Sequence, residues 1–215
     1  MGKKIEVHKV CKVHKVVKLV LTLCFVNFLL LPFTSSAQFD STFRYKGMLS
    51  GAGTLAFGTM PENKITNAYF TGSLEYYADS RISIRGDDYL FINSLTSQNI
   101  SLRRNEATYF GAFYHFIPNS QFDLMLGFQP GWSYTQMLVG DPNGAYPGVS
   151  PDVATICPLT SFVAGFNFFA VRWFHFEVNV RYTIGEHLTG ADETNISELS
   201  FNFGLGWNFS VLKKK

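Results

Sequence analysis

From residue 43 onward, apolar and polar residues alternate along the chain. In the last segment Leu199, Phe201, Phe203, Leu205, Trp207, Phe209 and Val211 take one parity, and Ser200, Asn202, Gly204, Gly206, Asn208 and Ser210 take the other. Successive side chains of a strand point to opposite faces, so this is a strand with one apolar and one polar face. The same pattern runs through Phe174–Ile184 and through Phe122–Tyr134, where only Met125 and Pro130 disturb it. Coiled into helices, these segments would be apolar all round. Weaker copies occupy residues 43–58, 66–78, 81–91, 105–116 and 158–169. The pattern predicts eight strands.

The connections fall into two kinds. Asp79-Ser80, Ile117-Pro-Asn-Ser120 and Ala170-Val-Arg172 are tight turns, whereas residues 59–65, 92–104, 135–157 and 185–196 form longer gaps. An even strand number with short turns at one rim and long loops at the other predicts an all-β, closed, antiparallel up-and-down transmembrane barrel. Its short turns would be periplasmic and its long loops extracellular.

Composition decides which face meets lipid. Charged residues make up 16% of the chain, against about 25% in an ordinary soluble domain. The polar parity is mostly Ser, Asn, Gly and Thr, which suit a crowded barrel interior better than a water-facing wall. Its few charges, Glu75, Arg85, Glu177 and Arg181, carry both signs, so they predict a paired network inside the lumen together with His175. Aromatic residues gather near the strand ends: Tyr45, Phe57, Tyr76, Tyr114, Phe116, Trp132, Tyr134, Trp173, Phe174, Tyr182, Trp207 and Phe209. Such a distribution suits the two interfacial girdles of a membrane barrel. A soluble lipocalin-like lipid-binding cup would reverse the parity, apolar inward. On the membrane reading, Phe203→Arg blocks assembly and Asn202→Ala is mild.

The N-terminus reads as an address. Six lysines precede the apolar stretch Leu19–Phe33, and Thr34-Ser-Ser-Ala37 supplies small residues for cleavage, so residues 1–37 are expected to be a secretory signal peptide. Residues 38–215 then form the barrel domain. The formal charge of the whole chain is +2; removing six lysines and one glutamate leaves twelve basic and fifteen acidic residues. That balance gives no electrostatic footprint for nucleic acid. Only Cys157 of the three cysteines remains, so no internal disulfide is expected.

This strand rhythm, the loop alternation and the aromatic-rich Leu199–Val211 segment resemble the small outer-membrane barrels of Gram-negative bacteria, the eight-stranded OmpA-transmembrane-domain and OmpX type. The resemblance covers residues 39–211. It implies residence in the outer membrane, contact with its lipid and lipopolysaccharide, and insertion by the barrel-assembly machinery. Many such barrels end on a terminal Phe; here Phe209 is followed by Ser-Val-Leu-Lys-Lys-Lys215, so recognition would use Trp207 or Phe209 internally.

Catalytic, cofactor and metal sites are not expected. His175, Glu177 and Arg181 share one polar face, and some small barrels modify lipid A with His, Ser and an acid; Ser, however, is common on every polar face here. Asp141, Asn143 and Asp152 lack the spacing of a calcium loop. The Pro- and Gly-rich stretch 136–158 is a candidate surface-binding loop, and Arg103-Arg104 a candidate contact for lipopolysaccharide phosphates. An envelope-structural or surface-binding role is therefore expected, with a lipid A-modifying enzyme as the alternative.

Overall fold

The computed structural model describes residues 43–96, 100–118, 120–139, 154–189 and 192–210. The signal-peptide expectation, most of the 136–158 loop and the C-terminal lysines lie outside them. The strands are β1 (Met48–Met60), β2 (Ile65–Tyr77), β3 (Ile82–Thr96), β4 (Ile100–His115), β5 (Phe122–Val139), β6 (Thr155–Val171), β7 (Phe174–Thr189), β8 (Asp192–Asn195) and β9 (Glu198–Ser210). Neighbours run β6-β5-β4-β3-β2-β1-β9-β7, and β6 pairs with β7, so eight strands close into a barrel. The four-residue β8 pairs antiparallel with the end of β7 and stands outside this ring. In hydrocarbon every backbone N–H and C=O needs an internal partner, and closure leaves no free sheet edge.

The parity expected from the sequence is the parity observed in all eight barrel strands. Leu74, Phe110, Phe128, Phe162 and Leu199 project outward and are each half or more exposed. The polar residues between them are buried in the lumen. A soluble cup would show the reverse. Met125 also faces inward, where it packs with Phe113 and Val163.

Three differences from the expectation have physical causes. The first strand starts at Met48, not residue 43. At Gly47, φ 82°, the chain turns; the Gly47 amide donates to the Tyr77 carbonyl at 2.8 Å. Residues 43–47 then tuck into the mouth at the short-turn rim, where Phe43 packs with Met48, Tyr77 and Phe169. Tyr45 packs against this cluster and so is no girdle residue. Second, the expected loops 59–65 and 92–104 are mostly strand: residues 61–64 alone connect β1 to β2, and residues 97–99 lie between β3 and β4. Toward the long-loop rim polar residues such as Asn93 also stand on the exposed face, so the alternation fades while pairing continues. Third, the 185–196 gap contains β8. Its residue Asn195 donates to Glu62 Oε1 at 3.0 Å, and Asn63 donates to the Asn195 carbonyl at 2.6 Å, which ties the hairpin to the β1–β2 turn. On the opposite rim, the β2–β3 turn is held by Asp79. Hydrogen bonds from the Ser80 hydroxyl and backbone amide keep this carboxyl below its ordinary range.

Candidate functional site

The lumen carries the chemistry, because alternation aims every second side chain of eight strands into it. Its middle is an ionic network. Arg85 Nε donates to Asp87 Oδ1 at 2.9 Å, and its Nη2 donates to Glu177. Arg181 Nη2 donates to Asp87 Oδ2 at 2.9 Å, its Nη1 to Ser161 at 2.7 Å and its Nε to Tyr89 at 3.0 Å. The Arg181 guanidinium lies 4.2 Å from the centroid of the Tyr109 ring. Gln129 donates to Asp87 Oδ2 at 2.8 Å, and Asn179 to Glu177 at 2.7 Å. Asn202 donates to Asn179 and accepts from the Tyr89 hydroxyl at 3.0 Å. Removing Asn202 would therefore orphan two buried groups, so Asn202→Ala is not the mild change that its polar type suggested.

A second cluster lies toward the short-turn mouth. His115 Nδ1 is 2.8 Å from Asp123 Oδ2, and its Nε2 is 2.9 Å from Ser83 Oγ and 3.2 Å from Glu75 Oε1. Tyr77 donates to Glu75 at 3.2 Å. Arg44 reaches up from the tucked segment, pairs with Asp123 at 2.7 Å and donates to the Ile117 carbonyl. It therefore ties residues 43–47 to β5 and to the β4–β5 turn.

Ser83, His115 and Asp123 have the spacing of a nucleophile, base and orienting acid. The chemistry does not follow. The Ser83 hydroxyl donates to Glu75, so its proton is not directed to the imidazole. Ser83, His115 and Asp123 are wholly buried, with Arg44 and Phe43 beneath them at the mouth.

Toward the long-loop end the lumen turns apolar, with Ala56, Met60, Ile65, Leu102, Leu159 and Ile196 buried together. Glu198 is set into this layer, its Oε2 accepting from Asn67 at 2.8 Å and from Tyr69 at 2.7 Å. Gly58 leaves space for it: a Cβ there would stand 2.0 Å from Glu198 Oε1. A neighbouring gap of about 10 Å³ between Tyr69, Tyr109 and Glu198 has room for roughly one water molecule. Cys157, expected in the long loop, instead faces inward from β6, with Sγ 3.5 Å from His187 Nδ1. Among the described residues no group of three His, Cys, Asp or Glu is placed to hold a metal ion.

The five residues singled out for the lumen do not form one cluster. Glu177 and Arg181 join through Arg85 and Asp87, and Glu75 sits between Arg85 and His115. His175 takes no part in these ion pairs. Its ring lies 5.3 Å from that of Phe169, and a Cβ on Gly206 would stand 2.2 Å from its Cε1. Asp87, His115, Asp123 and Arg44 were missing from the expected network. His115 and Asp123 already had inward parity. Asp87 lies within the 81–91 segment on the parity of Arg85, so it too was legible as an inward position. Arg44 depended on a tertiary fold-back that leaves no periodic trace.

All eight residues assigned to the girdles are exposed on the outer wall. Tyr76, Tyr114, Trp173, Trp207 and Phe209 lie at the short-turn end, while Trp132, Tyr134 and Tyr182 lie toward the long-loop end.

No protein-family model matches the chain, and no curated protein matches it in sequence. Solved structures do match. The outer membrane protein OprG from Pseudomonas aeruginosa superposes with a TM-score of 0.60 at 13% identity, covering 78% of this chain and 98% of that one. Neisserial surface protein A (NspA) gives 0.54 at 12%, covering 76% and 96%. The N-terminal β-barrel domain of Pseudomonas aeruginosa OprF gives 0.51 at 10%, covering 77% and 100%. The fold is that of the small eight-stranded outer-membrane barrels of Gram-negative bacteria.

Proposed function

We propose that this chain is an integral outer-membrane protein without enzymatic activity, a sealed barrel that holds its extracellular loops at the cell surface for an envelope-structural or surface-binding role. One observation carries the reading: the outer wall is apolar with aromatic ends, while the lumen is filled across its width by interlocked side chains. A filled eight-stranded lumen leaves no aqueous channel for solutes. The expected partners are outer-membrane lipid and lipopolysaccharide, the barrel-assembly machinery during insertion, and a surface ligand at residues 136–158. Residues 1–37 act as the cleaved export signal.

The test is fractionation followed by electrophoresis with and without boiling. An outer-membrane protein migrates faster unboiled than boiled, because a small barrel resists detergent until heated. Recovery in the soluble extract would refute the reading. A second reading, a lipid A-modifying enzyme, is disfavoured by the Ser83 hydroxyl, which donates to Glu75 and not to the His115 imidazole. Lipid A mass spectra that are identical with and without the gene would remove it.

A further inference from the structure

We propose that Glu198 anchors a binding site for a monovalent metal cation, set in the lumen near its long-loop end. The site is separate from the surface role proposed above and rests only on the closed barrel.

The charge balance of the lumen points to it. Among the described residues five carboxylates are buried: Glu75, Asp87, Asp123, Glu177 and Glu198. Four of them face cations. Arg85 pairs with Glu75, Asp87 and Glu177, Arg181 with Asp87, and Arg44 with Asp123. Glu198 stands apart in the apolar layer, where the groups donating to its Oε2 are neutral, the Asn67 amide and the Tyr69 hydroxyl. Among the described residues no basic side chain forms an ion pair with it. A buried charge is costly unless it is paired or holds a metal ion.

The space and the oxygens beside Glu198 suit an ion. Glu198 stands opposite Thr183 of β7. The two line the gap of about 10 Å³ together with Tyr69, Asn105, Tyr109 and Ser133. That is room for one ion of about the size of a water molecule. The protons of the lining hydroxyls are engaged elsewhere. Thr135 donates to Asn105 Oδ1 at 3.1 Å, so across the 2.9 Å between the Ser133 and Thr135 hydroxyls it is Ser133 that donates. The Tyr109 and Thr183 hydroxyls lie 3.2 Å apart, and whichever donates is left with bare lone pairs. Tyr69 directs its proton to Glu198, and the Asn105 amide donates to Tyr69 at 2.8 Å. The gap is thus walled by a carboxylate and by hydroxyl oxygens with lone pairs to offer, the ligands that hard cations take.

The valence follows from the charge. One carboxylate neutralises one positive charge, whereas a divalent ion would leave an excess charge beside Ile65, Leu159 and Ile196. Glu198 keeps 8% exposure, so the carboxylate is not sealed off from solution.

The test is a urea titration of the full chain folded in phosphatidylcholine vesicles, followed by tryptophan fluorescence near neutral pH and at constant ionic strength. Sodium or potassium chloride is exchanged for the chloride of N-methylglucamine, a cation too large for the gap. A ligand that binds only the folded state stabilises it as its concentration passes Kd. The wild-type urea midpoint should therefore rise with sodium or potassium and then level off, and a gain with either ion supports the site. E198Q keeps an oxygen for Asn67 and Tyr69 but loses the charge, and its midpoint should be the same in all three salts. S133A should need about tenfold more of the ion for half of the wild-type gain, the effect of one lost contact to a charged group. Equal wild-type midpoints in all three salts would overturn the site and mean that a proton neutralises Glu198. An ion response retained in E198Q would overturn it too. Calcium that stabilised wild type but not E198Q at far lower concentration than sodium or potassium would overturn the monovalent assignment. Should E198Q not fold, S133A decides: a weakened response supports the site and a wild-type response overturns it. Failure of wild type to fold in the vesicles in any salt would instead refute the barrel reading, and the site with it.

Discussion

Replacing Arg181 by Met tests whether the lumen network acts as a unit. Arg181 is 1% exposed and donates to Asp87, Ser161 and Tyr89. Breaking a buried ion pair by removing one partner costs about 3–5 kcal/mol, because the remaining charge is left uncompensated. Asp87 keeps Arg85 Nε at 2.9 Å and Gln129 at 2.8 Å, which puts Arg181→Met near the lower end, at about 3 kcal/mol. Asp87→Asn on its own should cost a similar amount, since it leaves Arg181 without its carboxylate. Combining the two removes both charges. Arg85 then still has Glu177 and Glu75, so the double variant should cost about 1–3 kcal/mol less than the sum of the singles. The assay is a urea titration of protein folded in phospholipid vesicles, followed by tryptophan fluorescence. Additive costs, or an Arg181→Met variant within about 1 kcal/mol of wild type, would refute the network.

Further predictions concern the two faces and the mouth. Phe203→Arg puts a guanidinium on the lipid face, which near the midplane costs roughly 2–4 kcal/mol; the folded fraction on unboiled gels should drop sharply. Asn202→Ala should cost about 1–3 kcal/mol in the same urea assay, because Tyr89 and Asn179 lose a partner. Gly58→Ala drives a methyl into the Glu198 carboxylate, and overpacking of this kind costs about 1–3 kcal/mol. Arg44→Ala should unseat residues 43–47 and speed proteolysis there, with the barrel band on gels retained; unchanged cleavage would remove the latch role of Arg44.

How far the sequence reaches follows from where periodic signals exist. Inside the hydrocarbon, parity is enforced by lipid on one side and a crowded polar lumen on the other, so Leu199–Ser210 and Phe174–Ile184 were legible with their faces. Above the aromatic level water bathes the outer wall, the enforcement lapses, and β3 and β4 extend well past their apparent ends. The bulge at Arg103, where Leu102 opposes Met137 and Arg104 opposes Gln136 of β5, could not be read because a one-residue insertion looks like an ordinary parity slip. The candidate site was legible as a set of inward positions but not as a set of bonds. Arg85 meets Glu177 across 92 positions of chain and Arg181 meets Asp87 across 94, and closure of the barrel alone decides those encounters. Arg44 escaped because its turn into the mouth depends on Gly47 and on contacts with Tyr77 and Phe169.

The most direct measurement uses the three tryptophans, Trp132, Trp173 and Trp207, all on the outer wall near its ends. In vesicles of lipid brominated at shallow or deep acyl positions, their fluorescence should be strongly quenched, more by shallow bromines than by deep ones, with little quenching by aqueous acrylamide. Strong acrylamide quenching with no effect of lipid bromine would mean that the apolar wall does not face acyl chains, contradicting the account.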